Sequence, residues 1–183
     1  MGVTSVCAPC ARATGSGPDE TEALVGMLVS PIWASNQRLT FNYAGTFLRG
    51  TWPLALGGRQ YCDWDWVGEL FAGDVVNGFG HELAGPSLLA RRWFGTPASS
   101  WQPYVQGGFG VLYSDAYRDP NQGQLGGAVE FKTSVDLGFQ ARLWHRWSWS
   151  GELMFNHISD AGLSSRNKGV SALGLGVGLV QRW

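Results

Sequence analysis

Charge is scarce in this chain. Asp, Glu, Lys and Arg make up 15% of its 183 residues, against roughly 25% in ordinary soluble domains. The formal net charge of −1 gives no basis for binding nucleic acid. Long hydrophobic runs are missing too: nothing approaches the ~18–20 apolar residues of a membrane-crossing helix. Cysteine is nearly absent, with three in all. Cys7 and Cys10 form a C-x-x-C, but it lies in a Gly/Ser/Pro-rich leader with no βαβ pattern after it, so no redox role is expected. There is no second C-x-x-C to complete a zinc site, and Cys62 is expected to be a lone thiol. The three histidines, His81, His145 and His157, fall on separate expected elements. No metal site and no cofactor are expected.

Helical periodicity is also lacking, and period-two alternation takes its place. Between residues 129 and 143, Val129, Phe131, Thr133, Val135, Leu137, Phe139, Ala141 and Leu143 share one face. Glu130, Lys132, Ser134, Asp136, Gln140 and Arg142 share the other. Eight segments of this kind are expected, near 22–30, 38–49, 63–73, 82–94, 102–113, 128–143, 147–159 and 171–183. Turn-forming Gly, Pro, Asn, Asp and Ser cluster between them. Residues 1–21 are expected to be a disordered or mis-assigned leader, because a basic n-region and apolar core are not found there. Residues 22–183 then form an all-β, eight-stranded, antiparallel up-and-down barrel.

Such a barrel can be soluble, with its apolar face inward, or transmembrane, with that face toward lipid. Leu173, Leu175, Val177 and Leu179 alternate with Gly174, Gly176 and Gly178, and the chain ends on Trp183 in the apolar phase, with Gln181 interrupting the series. A terminal aromatic on an amphipathic last strand resembles the assembly signal of bacterial outer-membrane barrels. In the transmembrane reading, Trp147 and Trp149 belong to an interfacial girdle. Inward Glu69, Glu130, Lys132, Asp136, Arg142 and Glu152 form a charge-paired filling of the lumen.

One segment carries chemistry. Phe155-Asn156-His157-Ile158-Ser159-Asp160-Ala161-Gly162-Leu163 sets His157 and Ser159 two residues apart on one strand. They share a face, roughly 6.6 Å apart along the strand axis. That face also holds Leu153 and Phe155, so a base and a nucleophile stand on an apolar wall. The pairing points to ester chemistry on a lipid.

The run His157-Ile158-Ser159-Asp160-Ala161-Gly162-Leu163, followed by Arg166-Asn167-Lys168-Gly169, resembles the signature of the lipid A 3-O-deacylases (PagL-like outer-membrane enzymes). The stretch Pro103-Tyr104-Val105-Gln106-Gly107-Gly108-Phe109-Gly110 is similar to the family's Pro-[Tyr/Phe]-x-x-x-Gly-x-Gly strand, and Gln124, Leu125, Gly126, Glu130 and Phe131 fall where related sequences have similar residues. The resemblance covers about residues 84–180. It implies a multi-pass barrel in the bacterial outer membrane, hydrolysing an acyl ester of lipid A, with its active site facing the outer leaflet and lipopolysaccharide as its partner. It also admits a homodimer. By position, His157 matches the base and Ser159 the nucleophile. Asn167, with Ala161 and Gly162 of the bend, matches the oxyanion loop.

Two departures stand out. The family's orienting acid falls at Ser171, and the residue after the nucleophile is Asp160 in place of asparagine. Ser171 can accept a hydrogen bond but supplies no charge. Asp160 points to the opposite face of a regular strand, so only a bend after Ser159 brings it round to His157. The alternative is a catalytically inactive structural or lipid-binding barrel.

Overall fold

The computed structural model describes residues 17–30, 40–96 and 99–183. Most of the leader lies outside them, as do Cys7, Cys10 and positions 38–39 of the second expected segment. Eight strands close on themselves in sequence order: β1 (Glu20–Val29), β2 (Asn42–Leu56), β3 (Arg59–Asn77), β4 (Glu82–Trp93), β5 (Trp101–Ser114), β6 (Val129–Trp144), β7 (Trp147–Ser159) and β8 (Val170–Arg182). Neighbours pair antiparallel, and β1 pairs with β8 to complete the ring. Closure leaves no exposed strand edge, which a bilayer requires.

Sidedness follows the alternation. The outer wall shows Leu48, Leu70, Leu88, Phe109, Leu137 and Leu175, with Phe109 at 73% and Leu175 at 69% exposed. The inner wall buries Glu22, Arg49, Glu69, Arg91, Asp136 and Glu152. An apolar exterior around a polar interior is the transmembrane arrangement. Trp52, Trp101, Trp144, Trp149 and Trp183 are exposed on the half of the wall that carries the chain termini, the pattern of an interfacial belt.

The interior has two layers. Nearer the termini, Arg49 binds Glu152 at 2.7 Å, Glu69 at 2.9 Å and Glu22 at 3.3 Å. Arg91 reaches Glu22 at 3.1 Å, and Lys132 reaches Glu69 at 2.6 Å. At the opposite end Leu24, Leu28, Phe47, Phe71, Met154 and Ile158 pack as an apolar plug. The inward glycines of β8 admit this packing: a Cβ on Gly176 would stand 2.6 Å from Leu24 Cδ2.

The lumen network differs from the expectation in two members. Arg142 is exposed at the terminal rim, and Glu130 lies at the far end of β6, away from the arginines. The cations that organise the network are Arg49 and Arg91.

β2 and β3 outrun their expected bounds. The ladder passes Pro53 through a register shift between Pro53 and Ala55, a bulge that accommodates the missing N–H. The hairpin closes on Gly57 and Gly58, with φ of 57° and 76°, as a two-residue turn with both φ positive demands. Cys62 on this hairpin is disulfide-bonded, which corrects the lone thiol; its partner lies outside the described residues.

Candidate active site on the outer wall

β7 ends at Ser159, and its alternating burial puts His157 and Ser159 half-buried on the lipid-facing wall, between the inward Asn156, Ile158 and Asp160. Their cross-strand neighbours complete the surroundings. Thr133 and Ser171 flank His157, and Phe131 flanks Ser159. His157 Nδ1 and Ser171 Oγ are 2.9 Å apart, so Ser171 is the group that orients the ring.

Gly169 explains how the imidazole sits. Continuing the β7–β8 register one step past Ile158 and Val170 places Gly169 across from Ser159. Gly169 has φ of +69°, and a Cβ there would lie 2.8 Å from His157 Cε1 and 3.2 Å from Nε2. The ring therefore leans along the strand toward the Ser159 level and rests on bare backbone. No hydrogen bond joins His157 to Ser159 among the described residues.

The chain reverses just after Ser159. Ala161 and Gly162 have φ of 55° and 86°, and the Leu163 N–H donates to the Asp160 carbonyl at 3.1 Å. The bend begins one residue too late to swing Asp160 outward. Asp160 stays inward and buried, its Oδ1 accepting from the Gly162 N–H at 2.9 Å. The structure thus does not bring Asp160 to His157.

Asn167 accepts the Asp160 N–H on Oδ1 at 3.0 Å. The N–H groups of Asp160, Gly162 and Leu163 are engaged, whereas the Ala161 N–H and the Asn167 amide NH2 have no hydrogen-bond partner among the described residues. A left-handed alanine is strained, and Ala161, with φ of 55°, stands two residues past Ser159.

A second loop, between β5 and β6, braces the first. It carries a single 3₁₀ turn at Ala116–Arg118. Arg166 donates to the carbonyls of Tyr117 at 2.8 Å and Asp119 at 2.9 Å. The Gly169 N–H donates to the Gln124 carbonyl at 3.1 Å. Gln122 is buried and ties the loop to itself, donating to the Leu125 carbonyl at 2.6 Å and accepting from the Leu125 N–H at 2.9 Å. Sequence reasoning gave Arg166 no role of its own, because its partners lie on another loop 47 and 49 positions away, and it missed Gln122. No cluster of three or more His, Cys, Asp or Glu able to hold a metal occurs among the described residues.

A sequence model of the lipid A 3-O-deacylase (PagL) family matches residues 23–180. The crystal structure of the outer membrane enzyme PagL is similar with a TM-score of 0.62 at 19% identity, covering 87% of this chain and 97% of that one. The crystal structure of Neisserial surface protein A (NspA) is similar with a TM-score of 0.65 at 12% identity, covering 90% of this chain and 96% of that one. At such identities the structural likeness speaks for the fold. No curated protein matches the chain. The apolar wall, the closed ring and these matches make the protein a bacterial outer-membrane β-barrel. With the family model spanning all eight strands from β1 into β8, the chain belongs to the lipid A 3-O-deacylase family.

Proposed function

We propose that the protein is a serine esterase that hydrolyses an acyl ester of lipid A at the outer leaflet. The carrying observation is the seating of His157: Nδ1 is fixed by Ser171, and Nε2 lies against Gly169, the position across from Ser159. That geometry suits a base whose free nitrogen faces the nucleophile. With the chain termini at the periplasmic rim, β7 runs outward and its end lies at the depth of the outer leaflet.

Ser159 Oγ attacks the ester carbonyl while His157 Nε2 takes its proton. The carbonyl oxygen becomes an oxyanion, received by the Ala161 N–H and the Asn167 amide. Losing one such donor typically costs about 3–4 kcal/mol of barrier. As the tetrahedral centre collapses, the bond to the sugar oxygen breaks and His157 returns the proton to that oxygen. The acyl group now sits on Ser159. Water, deprotonated by His157, attacks the acyl-enzyme, releases the fatty acid and restores Ser159.

Ser171 holds the ring's orientation and supplies no charge to the imidazolium. In serine hydrolases the loss of the orienting carboxylate costs ~10⁴-fold in kcat, so slow turnover is expected. The same substitution favours the second reading, a barrel that binds lipid without hydrolysing it. Mass spectrometry of lipid A from cells expressing the chain or its Ser159→Ala variant decides between them. A deacylated species made only by the unsubstituted chain is expected. Identical acyl patterns in both, matching empty cells, defeat the hydrolase.

A further inference from the structure

Two carboxylates at the outer mouth of the barrel are left over by this chemistry. One step beyond Phe131 and Ser159, the β6–β7 register sets Glu130 directly across from Asp160. Both face inward, 0% and 2% exposed, and Asp160 acts electrostatically on Glu130. Glu130 Oε1 accepts from the Gly127 N–H at 3.0 Å, and Asp160 Oδ1 from the Gly162 N–H. Glu130 Oε2 and Asp160 Oδ2 are buried with no partner.

Like charges directly opposed on a ladder repel, and a buried carboxylate needs a hydrogen bond or a counter-charge. Backbone N–H groups, that of Gly126 on Glu130 included, are their donors, and no counter-charge stands beside them among the described residues. Leu112 and Ser114 of β5, Ile158 of β7 and Val170 of β8 are uncharged. The next inward group on β6, Lys132, is committed to Glu69, and Asp115 after β5 is taken by His81. Lys168 on the loop is exposed.

We propose that Glu130 and Asp160 share one proton between Oε2 and Oδ2, and that this makes Glu130 a positioning residue for the oxyanion turn. The shared proton satisfies both orphan oxygens with one hydrogen bond. It keeps Asp160 inward, where Oδ1 and the backbone carbonyl hold the Ala161–Gly162 turn through the Gly162 and Leu163 N–H groups. Removing the proton opposes two anions and drives Asp160 off the Gly162 N–H. The catalytic half of this inference rests on the esterase reading; the shared proton does not.

The test uses the full chain in detergent micelles, with Glu130→Gln and Asp160→Asn. Each amide can donate to the remaining carboxylate and so preserves the contact. Thermal unfolding is followed from pH 6 to pH 10. The wild-type barrel holds a proton that the unfolded chain gives up, so its stability falls as pH rises; both variants lack that slope. Deacylation of lipid A is measured over the same range. The wild-type rate falls at alkaline pH by about tenfold per pH unit beyond the transition, and Glu130→Gln removes that fall. Equal stability slopes in all three proteins overturn the shared proton. A stability loss on adding EDTA that Glu130→Gln abolishes overturns it in favour of a bridging cation. A slope confined to wild type, with no hydrolysis by any of the three, supports the proton and overturns the esterase reading.

Discussion

Ser171 Oγ stands 2.9 Å from His157 Nδ1, in the place where a charged group would act most strongly on the imidazole. The hydroxyl fixes the ring without stabilising its protonated form. Ser171→Glu, across the ladder from His157, is expected to raise kcat by at least about tenfold, within the ~10⁴-fold that an orienting acid contributes. KM changes little, because the acid acts on the base and not on the bound lipid. Turnover of purified lipid A in micelles checks it, and a rate unchanged or lowered by the carboxylate counts against His157 as base.

Gly169 carries the imidazole. A methyl group there meets His157 Cε1 at 2.8 Å, on backbone with φ of +69°. Gly169→Ala is expected to displace the ring and lower kcat by ~10²-fold, the scale of an ångström-sized misplacement. The barrel still closes, since the residue lies just outside β8. Heat-modifiable migration on gels reports folding separately from activity.

Arg49 sits at the crossing point of β1, β3 and β7, touching Glu22, Glu69 and Glu152. Arg49→Met leaves those carboxylates short of a counter-charge in a sealed interior. Removing one partner of a buried ion pair costs about 3–5 kcal/mol, and that loss is expected in urea unfolding of the barrel reconstituted in vesicles. The activity of the fraction that remains folded stays near wild type, because the network lies below the apolar plug.

Asp115 gives the loop after β3 an acid limit. Burial works against its charge, but the backbone N–H groups of His81 and Glu82 and the His81 ring outweigh that and hold the carboxyl below its usual range. The folded chain therefore prefers the carboxylate more than the unfolded chain does. This contribution is complete above about pH 4 and fades as pH falls through the folded-state value. Hydrogen exchange of the His81 and Glu82 amides, which donate to Asp115 at 2.7 Å and 3.0 Å, should accelerate on acidification. Asp115→Asn should speed it already at neutral pH.

Much of this was readable from residue order because a barrel strand writes its two faces into alternate positions. β4 to β8 lie within a residue or two of their expected bounds for that reason. β2 and β3 were underread because Pro53 and Gly57-Gly58 are breakers in isolation, whereas a bulge and a tight hairpin absorb them here. The surroundings of His157 were legible as far as local parity reaches, which covers Ser159 and the residues across the ladder. What parity could not give is where a bend starts. The left-handed residues are Ala161 and Gly162, so Asp160 keeps its inward direction. Contacts joined only by closure of the ring, such as Arg49 to Glu152, 103 positions apart, leave no local trace. The same holds for Arg166 against the β5–β6 loop.

The outward placement of His157 and Ser159 also fixes how such a site is supplied. The barrel's inside is filled by side chains, so nothing needs to pass through it, and these two side chains open sideways from the wall. For the esterase proposed above, encounter is then a two-dimensional problem: turnover would track the mole fraction of glycolipid in the surface and the fluidity of that monolayer, while dilution of the aqueous phase would leave it unchanged.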